Sequence, residues 1–216
     1  MLTIDPQGMV IQDARIIARR EPKIERGRMD KVNGIVVHQT NTATETAVFN
    51  SYGVPNANGA HFLIAKDGTV YQTASLFFKT NHVGRLRARC IAEKRCAPSE
   101  IALSSSTRYG AIHSAEMAKP VPARYPSNTD SIGIEIVGVA VPPPPERIPR
   151  NLSEYQKRLY ITEHSVYETL TGPQQQSLQY LIDQLTQALA VPKTEIHRHP
   201  DVSYKNRTEA STAAWQ

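Results

Sequence analysis

Two separated groups of residues in this chain have the types needed to hold a metal ion. The first is His38, which closes the apolar run Gly34-Ile35-Val36-Val37. The second lies far downstream, in Ile196-His197-Arg198-His199-Pro200-Asp201, followed by Arg207 and Glu209. Imidazole nitrogens and a carboxylate oxygen are zinc donors, and distant stretches brought together by folding can form a metal site without a local motif. A lone histidine beside an apolar strand is more often a packing residue, so His38 draws its interest from the downstream cluster. A third candidate is Glu135, inside Ser131-Ile132-Gly133-Ile134-Glu135-Ile136-Val137-Gly138. So apolar a strand is expected to be central, and a carboxylate there must be paired or functional, because burying an unpaired charge is costly.

The elements that must position these residues are legible in outline. Ile35, Val36 and Val37 are β-branched, bounded by Gly34 and by a Thr/Asn cluster, and too short a run for a helix. In the second strand the alternation puts Ile132, Ile134 and Ile136 on one face and Gly133, Glu135 and Val137 on the other. Residues 59–65 and 66–72 are two β-rich runs around Lys66-Asp67-Gly68, which predicts a hairpin. Thr42 to Phe49 predicts a short helix. Thr171-Gly-Pro-Gln174 has the form of a capping box, and Leu178, Leu181, Ile182, Leu185 and Leu189 follow at helical spacing, predicting a helix over 173–190. Residues 1–31 are mixed and basic and are expected to wrap the domain. The segments 85–129 and 140–170 have the character of irregular insertions, the second opening with four prolines at 142–145.

Length and composition narrow the classes. A chain of 216 residues can form one sizeable core, and 40% hydrophobic with 21% charged residues is a globular mix. No run reaches the roughly 18–20 apolar residues of a membrane span. The net charge of +5 favours anionic partners. No aromatic-interleaved basic patch or helix-turn-helix pattern points to nucleic acid. Two cysteines, Cys90 and Cys96, are compatible with a small disulfide loop in an oxidising compartment or with two free thiols, and a zinc knuckle lacks further ligands.

Five blocks, in order, carry a resemblance: Ile-Val-Val-His38, Gly-Ala-His61-Phe-Leu-Ile-Ala-Lys-Asp-Gly-Thr-Val-Tyr, Asn-His82-Val-Gly, Ser-Ile-Gly-Ile-Glu135-Ile-Val-Gly and His199-Pro-Asp-Val-Ser. Together they resemble the type 2 N-acetylmuramoyl-L-alanine amidases, which share a fold with the peptidoglycan-recognition proteins. The resemblance implies a single α/β domain over residues 32–209, with a central mixed sheet flanked by helices and a tail at 210–216. It implies one zinc ion per chain, held by His38, His199 and Glu209, with Glu135 as the catalytic carboxylate and His82 in the cleft. The family's Asp-type members place a Lys eight and an acidic ligand ten residues after the second histidine. Counted from His199, that gives Arg207, which the resemblance implies stabilises the oxyanion beside the metal, and Glu209, with Arg in the place of Lys and Glu in the place of Asp. Lys205 is the rival for the Lys role, but that register puts Arg207 at the ligand position, where a guanidinium cannot bind a cation. His197 and His61 are expected to be structural.

The implied substrate is peptidoglycan or a muropeptide, cut at the lactyl–L-Ala amide. A non-catalytic peptidoglycan-binding module and a zinc peptidase acting within the stem peptide are the other classes in play. Met1 to Pro6 shows neither a basic n-region nor an apolar h-region, so no conventional signal peptide is expected. Two settings fit that start. One is a cytoplasmic enzyme recycling wall fragments. The other, which the insertions and the cysteine pair favour, is an antibacterial effector delivered to a rival's periplasm and paired with an immunity protein.

Overall fold

The computed structural model describes residues 2–105 and 108–216. Its frame is a six-stranded mixed sheet of β1 (Ile16–Ala18), β2 (Gly34–Gln39), β3 (Phe62–Ile64), β4 (Val70–Gln72), β5 (Ser131–Ile136) and β6 (Ile196–Arg198). Across the sheet the order is β6-β2-β5-β3-β4-β1. Strands β6, β2, β5 and β3 run parallel, β4 reverses at the hairpin, and β1 lies parallel to β4 at the edge. Seven helices accompany the sheet among the described residues: α1 (Glu45–Tyr52), α2 (Arg89–Ala92), α3 (Pro98–Ser104), α4 (Tyr109–Met117), α5 (Glu154–His164), α6 (Gly172–Leu189) and α7 (His199–Val202).

The two-residue period of the strands divides the sheet into an apolar face and a chemical face. Ile35, Val37, Phe62, Ile64, Ile132, Ile134 and Ile136 form one buried cluster with Leu178, Leu181, Ile182 and Leu185 of α6. Each such side chain, fully buried, contributes about 1.5–3 kcal/mol. The capping box fixes where α6 begins: Thr171 Oγ1 accepts from Gln174 N at 3.2 Å, and Gln174 Oε1 accepts from Thr171 N at 3.0 Å. The opposite face carries Val36, His38, Gly133 and Glu135. Parallel pairing sets His38 beside Glu135, and Leu63 beside Glu135 on its other side.

The hairpin follows its turn chemistry. Gly68 takes φ +88°, and Asp67 Oδ1 accepts from Thr69 N at 2.9 Å. Helix α1 starts three residues later than its apolar pattern suggests, because Thr44 is the residue whose hydroxyl accepts from Ala47 N, at 3.3 Å. Residues 1–31 do more than wrap. They supply the edge strand β1, and Leu2, Val10, Ile16 and Met29 join the main core. The segment 85–129 holds α2 to α4 and the disulfide Cys90–Cys96. The segment 140–170 holds a short strand pair, Ala140–Val141 with Val166–Tyr167, and α5. Among the described residues no helix is long and apolar enough to cross a membrane.

Candidate active site

His38 stands near the C-terminal end of β2, and His199 opens α7 directly after β6. Since β2 and β6 are parallel neighbours, their C-terminal ends emerge together and set the two imidazoles 4.1 Å apart, centroid to centroid. Glu209 reaches the same point through successive turns, with Glu209 N donating to Asn206 O at 3.1 Å. Asn206 anchors these turns. Its Nδ2 donates to the carbonyls of Thr162 and Ser165 at 2.7 Å each, and its Oδ1 accepts from Thr208 N at 2.7 Å. The loop carrying Glu209 is therefore tied to the end of α5.

Nδ1 of His199 lies 2.8 Å from Glu209 Oε1, and Nδ1 of His38 lies 3.6 Å from the same oxygen. The far side of each ring is already committed. His199 Nε2 donates to Val83 O at 2.9 Å, and His38 Nε2 donates to His82 Nδ1 at 2.9 Å. Those bonds leave both Nδ1 lone pairs turned toward the carboxylate. Three acceptors so converged, all within 4.8 Å of one another, require a cation or a proton between them. Two imidazoles and one carboxylate are a donor set that suits a catalytic zinc ion, and each of these two histidines has its other nitrogen oriented by a further group. The donor set fits zinc.

His82 supports this arrangement from behind. Its Nδ1 accepts from His38, and its Nε2 donates to Ser131 O at 3.3 Å. Its ring lies across Gly133, where a Cβ would stand 2.8 Å from His82 Nδ1, so that strand position accommodates only glycine without displacement. Burial, followed by the neighbouring His38, His61 and His199, holds His82 well below the usual imidazole range. It is a neutral ring with both nitrogens engaged. His61 is fully buried, donating from Nε2 to Phe78 O and accepting at Nδ1 from Gly133 N.

Glu135 stands beside His38 with no partner for its Oε2, the one such buried side-chain atom among the described residues. Burial, and then the charge of Glu209, push its carboxyl up to about 8, against the opposing charge of Lys205. Burial also acts to raise Glu209, but a proton on the facing His199 or His38 ring favours its charged form more strongly and brings it down to about 2. Two carboxylates in one cleft are thus driven apart, one ionised and one ready to carry a proton. A test follows from the sign. In metal-free protein the unfolded chain ionises near 4.5, whereas folded Glu135 keeps its proton to about 8. Stability present at low pH is lost across that window. The Tm advantage of Glu135→Gln over the parent protein should widen between those two pH values and then level off; a constant difference contradicts the shift.

The cleft over these groups is about 580 Å³, and its walls include Tyr52, Tyr167 and Lys205. Arg207, expected here from the spacing, is elsewhere: it is exposed and lines a separate cavity with Arg87, Tyr125, Asp201 and Tyr204. The reason is local. Lys205 N donates to Ser203 O, and the chain from there to Ser211 turns repeatedly, so the side chain that lines the cleft is that of Lys205 and not of Arg207. The turn-forming Ser203, Asn206 and Thr208 were the signal that the register bends. His197 also faces that second cavity, its Nε2 3.3 Å from Glu195 Oε2 and its ring against Tyr125. Tyr52 and Tyr167 gave no sign in the sequence.

The family profile described as N-acetylmuramoyl-L-alanine amidase matches residues 28–211. The chain belongs to that family. Among solved structures it is similar to a selenomethionyl AmpD derivative, at 15% identity over 93% of this chain and 88% of that one, with a TM-score of 0.51. It is also similar to the catalytic domain of XlyA, at 18% identity over 88% and 87% of the two chains and a TM-score of 0.49. The amidase LysC from Clostridium intestinale URNW is matched at 18% identity over 87% and 83%, with a TM-score of 0.45. No curated protein matches the chain. The AmpD likeness supports the mixed α/β amidase fold, with the sheet and flanking helices as described above.

Proposed function

We propose that the protein is a zinc-dependent N-acetylmuramoyl-L-alanine amidase that hydrolyses the amide joining the lactyl group of N-acetylmuramic acid to L-Ala of the stem peptide. One observation carries this reading: the convergence of His38, His199 and Glu209 directly beside a carboxylate with an unpartnered oxygen. Zinc held by those three residues would activate water, polarise the scissile carbonyl and favour the ionised form of Glu135 by its charge. Glu135 accepts the proton of the attacking water as general base and delivers it to the leaving amine as general acid. His82 fixes the ring of His38, and the carbonyl of Val83 fixes the ring of His199. Lys205, on the cleft wall, supplies the positive charge for the oxyanion that develops on the lactyl carbonyl.

Kinetics on a soluble single-stem muropeptide test these roles. Lys205→Ala should lose on the order of 3 kcal/mol of transition-state stabilisation, the size of one oxyanion donor. Arg207→Ala should be nearly silent on that substrate. The reverse pattern would return the oxyanion role to Arg207. The same reading places the enzyme's work outside the cytoplasmic membrane, where peptidoglycan lies. The Cys90–Cys96 disulfide supports that, since such bonds persist in oxidising compartments.

A further inference from the structure

The cavity that holds Arg207 lies on the other side of the segment that builds the catalytic cleft. Gly84 lines the cleft and Arg87 lines the cavity, three residues along one strand of chain. The facing stretch, α7 and the turns after it, behaves likewise, with His199, Lys205 and Glu209 toward the cleft and Asp201, Tyr204 and Arg207 toward the cavity. The two stretches are stitched together by the Leu86–Ser203 bridge and by Ser203 Oγ donating to Arg85 O at 2.7 Å. Residues of that paired stretch line both sites. The cavity measures about 560 Å³, a volume suited to a peptide-sized group.

Its chemistry is cationic and aromatic. The guanidinium of Arg87 lies 5.1 Å from the ring centre of Tyr204, and Tyr109 tilts against the same tyrosine ring at 4.4 Å. Tyr204 and Tyr109 are both exposed. Arg89, at the back, is neutralised by Glu195 and Glu93, and Glu93 is in turn shared with Arg95. That leaves Arg87 and Arg207 against Asp201, a net positive lining. A planar guanidinium pairs with carboxylates, and tyrosine faces give apolar contact at little entropic cost.

We propose that this cavity is a second substrate subsite, which takes a carboxylate-bearing stem peptide neighbouring the one being cut on the same polymer. The proposal rests on the amidase reading, and it makes that reading specific for polymeric peptidoglycan. A polymer with repeated anionic stems can occupy cleft and cavity at once, and engagement of the cavity raises the effective concentration of stem at the cleft. A single-stem fragment reaches only the cleft.

The test separates the two substrates and also separates binding from turnover. Arg207→Glu should lower kcat/KM on intact sacculi by about tenfold, the size of one charge-assisted hydrogen bond, while the value on a soluble single-stem muropeptide changes less than about twofold. Arg207→Lys should retain most of the sacculus activity. Co-sedimentation with sacculi is measured in a Glu135→Gln background, where hydrolysis is slowed at least about a hundredfold. There the added Arg207→Glu change should weaken binding by the same factor, and raised salt should narrow the gap. Equal effects on both substrates, or unchanged sedimentation, overturn the subsite. If the parent protein releases no stem peptide but sedimentation still depends on Arg207, the amidase reading fails and the subsite stands.

Discussion

Glu135→Gln should keep zinc and fold yet lower kcat/KM on peptidoglycan by at least about a hundredfold, the lower end of what general acid–base catalysis supplies. The substitution is nearly isosteric and removes one thing, the capacity to take up and return a proton. The parent carboxyl is prepared for that task by burial and by the charge of Glu209, which together push it up to about 8 in the metal-free protein. Its Oε2 has no protein partner, so an amide there breaks no hydrogen bond within the fold. Unchanged zinc content with abolished turnover assigns the proton transfer to Glu135. Near-normal turnover would place the base elsewhere, and His82 would be a poor substitute because both of its nitrogens are engaged.

The second large effect concerns the metal. His199→Ala should abolish stoichiometric zinc and with it all turnover, because it removes one of three donors and leaves Glu209 facing a void. Full zinc occupancy by elemental analysis in that variant would exclude the assignment, and His197 could not replace it while paired with Glu195 in the other cavity. His82→Ala should act more mildly. It removes a hydrogen bond to a ligand rather than a ligand, and zinc affinity should fall by about 10–100-fold. The contrast between the two variants distinguishes a donor from the group that orients a donor.

Much of this arrangement could be read from the chain because it rests on strand periodicity. The alternation around Glu135 fixes which face it shares with His38, and the register His38↔Glu135 makes them neighbours. The helix over residues 172–189 was visible from one capping box and one leucine stripe. What escaped was set by turns and by tertiary contact. Lys205 lines the cleft and Arg207 the other cavity because the loop after Ser203 bends, a matter of hydrogen bonds that spacing does not encode. The first 31 residues, basic in composition, still supply an edge strand, since a three-residue strand needs only one buried side chain, here Ile16. The segment 85–129 looks irregular in sequence because its helices α2 and α3 have few buried side chains to imprint a period.

The most direct test of the proposed amidase activity is mass spectrometry of the products released when the purified protein, loaded with zinc, digests intact sacculi. The expected products are stem peptides that begin with a free L-Ala amine, together with glycan chains whose muramic acids keep a free lactyl carboxylate. Products cut between residues of the stem, with the lactyl amide intact, would instead identify a peptidase. Sacculi bound but returned whole would identify a binding module, and either result would contradict the proposed function.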